Sequence, residues 1–160
     1  MAQIIECVPN ISSADPALVA EAAAVVRSTP GVTLLDTSSD QSHNRSVITF
    51  VGDAAGAEEA AVKLAKFAAE HIDLTKHKGE HPRMGAVDVI PFIPIRDVTM
   101  SECVALSKRA AERIWKEAGI PVFLYEASAS APHRENLASI RKGQFEGMAE
   151  KVQQKEWEPD

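Results

Sequence analysis

The chain has 160 residues, enough for one well-buried core and too few for two. Hydrophobic residues are 45% of it and aromatic ones only 5%, with 25 alanines, so the core has to be built from closely approaching helices and aliphatic strands. Charged residues at 25% with ordinary Gly and Pro exclude a disordered or collagen-like chain, and a formal charge of −6 argues against a nucleic-acid surface, which needs Lys and Arg in excess.

Gln3 to Val8 is short, apolar and bounded by Pro9-Asn10, which predicts a first strand. Asp15-Pro16 predicts a helix start, Asp capping the free amides and Pro taking the first helical position. Leu18, Ala22, Val25 and Val26 supply its apolar stripe, and Thr29-Pro30-Gly31 ends it. Val32 to Asp36 and the β-branched run Ser46 to Val51 predict two more strands, joined by a polar connection over Ser38 to Asn44. A second helix is expected from Ala55 to His71. Leu74 to Ala86 shows no usable period. Val87 to Ile95 predicts a fourth strand which, interrupted by Pro91 and Pro94, has to bulge or lie at an edge. Thr99 to Ala118 predicts a third helix turning Val104, Ala111, Ile114 and Trp115 inward. Val122 to Tyr125 predicts a fifth strand, and short helical pieces follow between Asn136 and Lys151.

The order predicts an α+β fold: a ferredoxin-like βαββαβ core extended by αβ, with a mixed sheet and helices on one face. The other sheet face then has to be solvated or covered by a partner. Residues 1–150 read as one domain and residues 151–160 as a polar C-terminal tail. Cys7 and Cys103 stand 96 positions apart, outside disulfide-scaffold and zinc spacings, and read as free thiols in a reducing compartment. No apolar run reaches a membrane-spanning length, and Met-Ala-Gln-Ile-Ile-Glu-Cys-Val does not read as a signal peptide, so a cytoplasmic location is expected, with no membrane or nucleic-acid partner.

The informative stretch is Lys76-His77-Lys78-Gly79-Glu80-His81-Pro82-Arg83-Met84-Gly85. Three bases, two histidines and two glycines crowd into ten residues of an acidic protein. Pro82 forbids a regular helix, so His77 and His81 are not stacked metal ligands, and no metal is expected. Such a segment reads either as a solvated charged loop or as a site. Clustering favours a site, since four of five histidines (His43, His71, His77, His81) fall within 39 residues. An imidazole held among cations is biased towards its neutral, proton-accepting form.

Glu6-Cys7-Val8-Pro9-Asn10, Leu34-Leu35-Asp36, Asn44-Arg45-Ser46-Val47 and Thr49-Phe50-Val51-Gly52 resemble the formiminotransferase family. So do Lys76 to Gly85, Asp88 to Pro94, Pro121 to Tyr125 and Ile140-Arg141-Lys142-Gly143. The resemblance covers almost the whole chain and matches the family's N-terminal subdomain. It implies transfer of the formimino group from N-formiminoglutamate to tetrahydrofolate, in histidine breakdown. It also implies a catalytic base at His81, and substrate contacts from Asn10, Arg45, Lys78, Gly79 and Arg83. For Arg45 and Lys78 an ordinary ion pair is the competing reading, and for Asn10 a turn made with Pro9. The family usually carries Ser-Glu-Gly-Arg or Ser-Glu-Gly-Lys where this chain has Ser12-Ser13-Ala14-Asp15, and an acid where it has Ser38; Asp36 or Asp40 could substitute. After Trp157-Glu158-Pro159-Asp160 the family continues into a second subdomain, with the folate site between the two. A second-subdomain chain or a homo-oligomer is therefore expected. Two functions stay open: the folate-dependent transferase, or an inactive stand-alone ligand- or protein-binding module of the same fold.

Overall fold

A computed structural model describes residues 3–80 and 82–160. Six strands form one sheet: β1 (Ile4–Cys7), β2 (Asn10–Ile11), β3 (Val32–Asp40), β4 (Arg45–Gly52), β5 (Val87–Val89) and β6 (Phe92–Arg96). β1 and β2 are one strand interrupted at Val8-Pro9, and β5 and β6 one strand interrupted at Ile90-Pro91. β4 pairs with β1 and β2 on one side and with β3 on the other; β1 and β2 in turn pair with β6 and β5. The proline-bearing strand lies at the edge, where missing ladder donors cost least.

The βαββαβ frame and the one-sided helices are as expected. The sheet differs in two respects. All five pairings are antiparallel, where a mixed sheet was expected. In a βαββαβ chain each crossover skips one place, and the strand that fills it runs the opposite way. Val122 to Tyr125, expected as the fifth strand, joins no ladder. Pro91 and Pro94 leave the β5–β6 edge short of donors, and the segment turns instead to Asp160, whose amide donates to Val122 O at 2.9 Å and whose carboxylate accepts from Leu124 N. A cavity of about 780 Å³ lies between that edge and residues 120–128.

Helices α1 (Pro16–Arg27), α2 (Ala54–His71) and α3 (Met100–Ala118) start where side chains cap them. Asp15 accepts from Ala17 N at 2.9 Å, Asp53 from Gly56 N at 2.7 Å, and Thr99 from Glu102 N at 3.1 Å. Each such cap stabilises its helix by about 1 kcal/mol. The core sits between these helices and alternate strand positions: Ile5, Cys7, Ile48 and Phe50 from the sheet, Ala22, Val26, Ala57, Ala60 and Leu64 from α1 and α2, and Cys103 and Leu106 from α3. The alanines let α1 and α2 approach closely. Both cysteines are free and buried, and burial pushes the Cys7 thiol well above its ordinary range. Among the described residues no helix is long and apolar enough to cross a membrane.

α3 presents Cys103, Leu106, Ala110 and Ile114 to the interior, while Trp115 is 56% exposed. The expected inward position of Trp115 is therefore corrected. With that face packed against the core, Arg113 bonds Glu59 of α2 at 2.9 Å and Arg109 bonds Glu58 at 3.3 Å, and Trp115 is left outside. Two short helices follow, α4 (Leu137–Arg141) and α5 (Gln144–Lys151), separated by Gly143 at φ 93°.

Three bulges decide which side chains face which way. Between β3 and β4, Leu34 opposes Phe50 but Asp36 opposes Thr49, so Leu35 is the extra residue. Between β2 and β5, Asn10 opposes Val89 and Ile11 opposes Val87, which leaves Asp88 extra. Ile95 is the third. One added residue turns the following side chains to the opposite face.

Candidate active site

Asp88 is the hub of a buried polar network. As the bulge residue of β5 it leaves the strand's alternation and aims at the corner where β2, β4 and α4 meet. Its carboxylate is fully buried and four donors converge on it. Met84 N and Gly85 N reach Oδ1 at 2.6 and 3.2 Å; Arg45 and Arg141 reach Oδ2 at 3.0 and 2.6 Å. Arg45 also donates from Nε to Asn10 Oδ1 at 3.0 Å, and Asn10 returns its amide to Val8 O. Burial lowers the Arg45 pKa, and the adjacent Asp88 carboxylate opposes that shift. An anion held by two guanidiniums and two backbone amides fixes the end of the 77–85 loop to the sheet.

The beginning of that loop is fixed separately. Arg83, also buried, donates from Nε to His77 Nδ1 at 2.9 Å, and its two terminal nitrogens take Glu146 of α5 at 2.9 and 2.7 Å, with Gln144 Oε1 at 3.1 Å. His77 Nε2 lies 3.0 Å from Asn44 O. Because Nδ1 accepts from a guanidinium, the ring proton has to be on Nε2, donated to that carbonyl. Arg83 draws the Glu146 carboxyl down to about 2. Glu80 N donates to Ser42 O at 3.1 Å, and Gly79 lies so close to the β3–β4 turn that a Cβ would stand 2.2 Å from His43 O. Only glycine lets the backbone pass there.

The altered Ser12–Asp15 stretch lines the same corner. Ser12 Oγ donates to Gly85 O at 2.7 Å, Ala14 N to Asn44 Oδ1 at 3.0 Å, and Gln41 Nε2 to Ala14 O at 2.9 Å. Ser38 pairs with Val47, whose neighbours Ser46 and Ile48 face the helices, so Ser38 stands on the opposite sheet face together with Asp36. Asp40 is engaged with His43, at 3.1 Å to its amide and 2.7 Å to its Nδ1.

Of the residues expected from sequence, Asn10 and Arg45 are joined in the Asp88 network, and Gly79 and Arg83 belong to the loop. His81 lies outside the described residues. Lys78 is exposed and makes no ion pair with any described residue. The guanidiniums of Arg45 and Arg83 are committed to internal partners. Sequence reasoning missed Asp88, Arg141 and Glu146 as site-building residues. Asp88 did carry a signal, a carboxylate inside the apolar run Val87 to Ile90, and both Asp88 and Arg141 lie in blocks that resemble the family; Glu146 carried none, since a charged residue on a short helix is ordinary. The 780 Å³ cavity borders this corner at Met84, Gly85 and Asp88, but its walls are apolar and its ionisable lining is Asp88, Cys103, Tyr125, Glu126 and Glu146, with no cation among the described residues, which does not suit an anionic ligand. Among the described residues no cluster of three His, Cys, Asp or Glu side chains could hold a metal ion.

A buried two-ended anchorage around a short His- and Lys-bearing loop is a costly arrangement for a mere surface connection, and comparison with known proteins gives it a context. Residues 4–160 match the model of the formiminotransferase domain, N-terminal subdomain. The chain belongs to that family. It is 60% identical over its whole length to a glutamate formimidoyltransferase of Streptococcus pyogenes serotype M1, of which it covers 54%. It is 45% identical over 98% of its length to a glutamate formimidoyltransferase of Thermoplasma acidophilum, covering 53% of that protein. A formimidoyltransferase-cyclodeaminase of Mus musculus is 47% identical, with 30% of it covered. This formiminotransferase subdomain thus spans about half the length of its transferase relatives, and less of the bifunctional one.

Proposed function

We propose that this subdomain carries the catalytic base of a folate-dependent formimino transfer, from N-formiminoglutamate to N5 of tetrahydrofolate, completed by a second subdomain on the same chain, on a separate chain or in an oligomer. The observation that supports this most is the anchorage of the described residues on either side of position 81, through His77 and Glu80 before it and Arg83 to Gly85 after it. In the reaction the folate secondary amine attacks the amidine carbon, the bond from that carbon to the glutamate nitrogen breaks, and one proton passes from the attacking to the departing nitrogen. The His81 imidazole is the proposed carrier of that proton, an acid–base role worth on the order of 10²–10⁴ in rate. Lys78, exposed and without an ion pair among the described residues, is the proposed contact for a substrate carboxylate. Asn10, Arg45 and Arg83 serve as the wall behind it, and Gly79 permits close approach. The second sheet face, with Leu35, Ile93 and Ile95 exposed, is proposed to be covered by the second subdomain. A cytoplasmic location accords with two free thiols.

The test is transfer to tetrahydrofolate by the chain together with the second half that its relatives carry, for wild type and His81→Ala. Wild-type turnover lost in His81→Ala supports the reading. Reduced-folate binding without turnover in the wild type refutes it and leaves the binding module.

A further inference from the structure

The loop is closed by one hydrogen bond across its neck. His77 and Arg83 stand at its two ends, and Arg83 Nε donates to His77 Nδ1 at 2.9 Å. The other side of the imidazole holds the carbonyl of Asn44 at 3.0 Å. One ring therefore ties both ends of the loop together and fastens them to the β3–β4 turn, while Glu146 of α5 grips Arg83 from behind. We propose that His77 is a positioning residue which, as its Nε2–H tautomer, clasps Arg83 to the β3–β4 turn and so fixes residues 78–80 as formimino transfer requires. This rests on the transferase reading of the preceding subsection, with His81 on that loop as base.

The charge pattern makes the clasp specific for neutral imidazole. A proton on Nδ1 would face the Arg83 guanidinium, replacing an acceptor with a second donor and a second positive charge. Glu146 is an anion within electrostatic reach of the ring, and both its oxygens are already engaged by Arg83. Lys76, Lys78 and Glu80 flank His77 in sequence, and Asp40 and His43 of the β3–β4 turn are bonded to each other. Glutamine can reproduce both hydrogen bonds, its oxygen accepting from Arg83 and its amide donating to Asn44 O, and it does not titrate.

The test uses 15N-labelled chain as wild type, His77→Ala and His77→Gln. Ring-nitrogen shifts report the His77 tautomer, and hydrogen-exchange protection of the Glu80 amide, bonded to Ser42 O at 3.1 Å, reports the loop. We expect the Nε2–H tautomer in the wild type. Glu80 protection should be roughly 10- to 100-fold lower in His77→Ala than in the wild type, the worth of one charge-assisted hydrogen bond. His77→Gln should keep the wild-type protection, because it can make both hydrogen bonds. An Nδ1–H tautomer, or equal Glu80 protection in all three proteins, overturns the clasp. In the transferring protein, a rate about 10²-fold lower in His77→Ala and restored in His77→Gln supports the positioning role; equal rates overturn it. Absence of transfer in the wild type refutes the transferase reading separately, because tautomer and exchange do not depend on turnover.

Discussion

Replacing Asp88 by Asn is the sharpest probe of the site's construction. The substitution keeps shape and volume, and its carbonyl oxygen can still accept from Met84 N and Gly85 N. Its amide then faces Arg45 and Arg141, which reach the native carboxylate at 3.0 and 2.6 Å. Two charge-assisted bonds are lost and two cations stay behind, one of them, Arg45, only 8% exposed. Removing one partner of a buried ion pair costs about 3–5 kcal/mol, chiefly because the other charge is stranded. For a domain of this length about 1 kcal/mol moves Tm by roughly 2–4 °C, so Asp88→Asn should lower Tm by roughly 6–20 °C. Urea unfolding followed by circular dichroism should show the midpoint falling with the slope m unchanged. A double-mutant cycle adds the decisive step: Arg45→Met should cost less in the Asp88→Asn background than in the wild type, with a coupling energy above about 1 kcal/mol. A loss below about 1 kcal/mol with additive single effects, as in an exposed pair, would refute the hub.

Gly79→Ala should abolish the Glu80–Ser42 bond and weaken reduced-folate binding, since the new Cβ would stand 2.2 Å from His43 O; Glu80 amide exchange and a binding titration check this. The Glu146 carboxyl titrates at about 2 in the folded chain, below the ordinary glutamate value, so the stability this pair contributes is present above about pH 4 and is lost as the pH falls through about 2. Acid unfolding of Glu146→Gln should accordingly lack that component, and carbon NMR of the Glu146 carboxyl should place its midpoint directly. On α3, Ile114→Ala should cost about 2–5 kcal/mol and Trp115→Ala within about 0.5 kcal/mol, the two compared by urea midpoints.

Wherever neighbouring residues decide, the sequence alone was sufficient. Asp15-Pro16 and Thr99 start α1 and α3 because a cap needs only the next three residues, and Pro91 and Pro94 put their strand at an edge because proline carries no donor wherever it sits. Glycines and charge clustering likewise marked the 76–85 segment. The tertiary structure alone decided what depends on distant partners. The α3 apolar positions, 103, 104, 106, 110, 111, 114 and 115, span too wide an arc for the helix to choose its own face, and packing against α2 and the sheet chose it. Strand alternation is local, but the bulges at Leu35 and Asp88 exist only in register with a partner strand, and each turns side chains to another face. Arg83 and Arg45 read as receptors for a ligand carboxylate because arginine at a site usually is one; folding supplied Glu146 and Asp88 from 63 and 43 positions away and gave both guanidiniums internal partners. Charge pairing across such separations is a property of the packed chain, since only burial brings these groups within reach and makes leaving them unpaired costly.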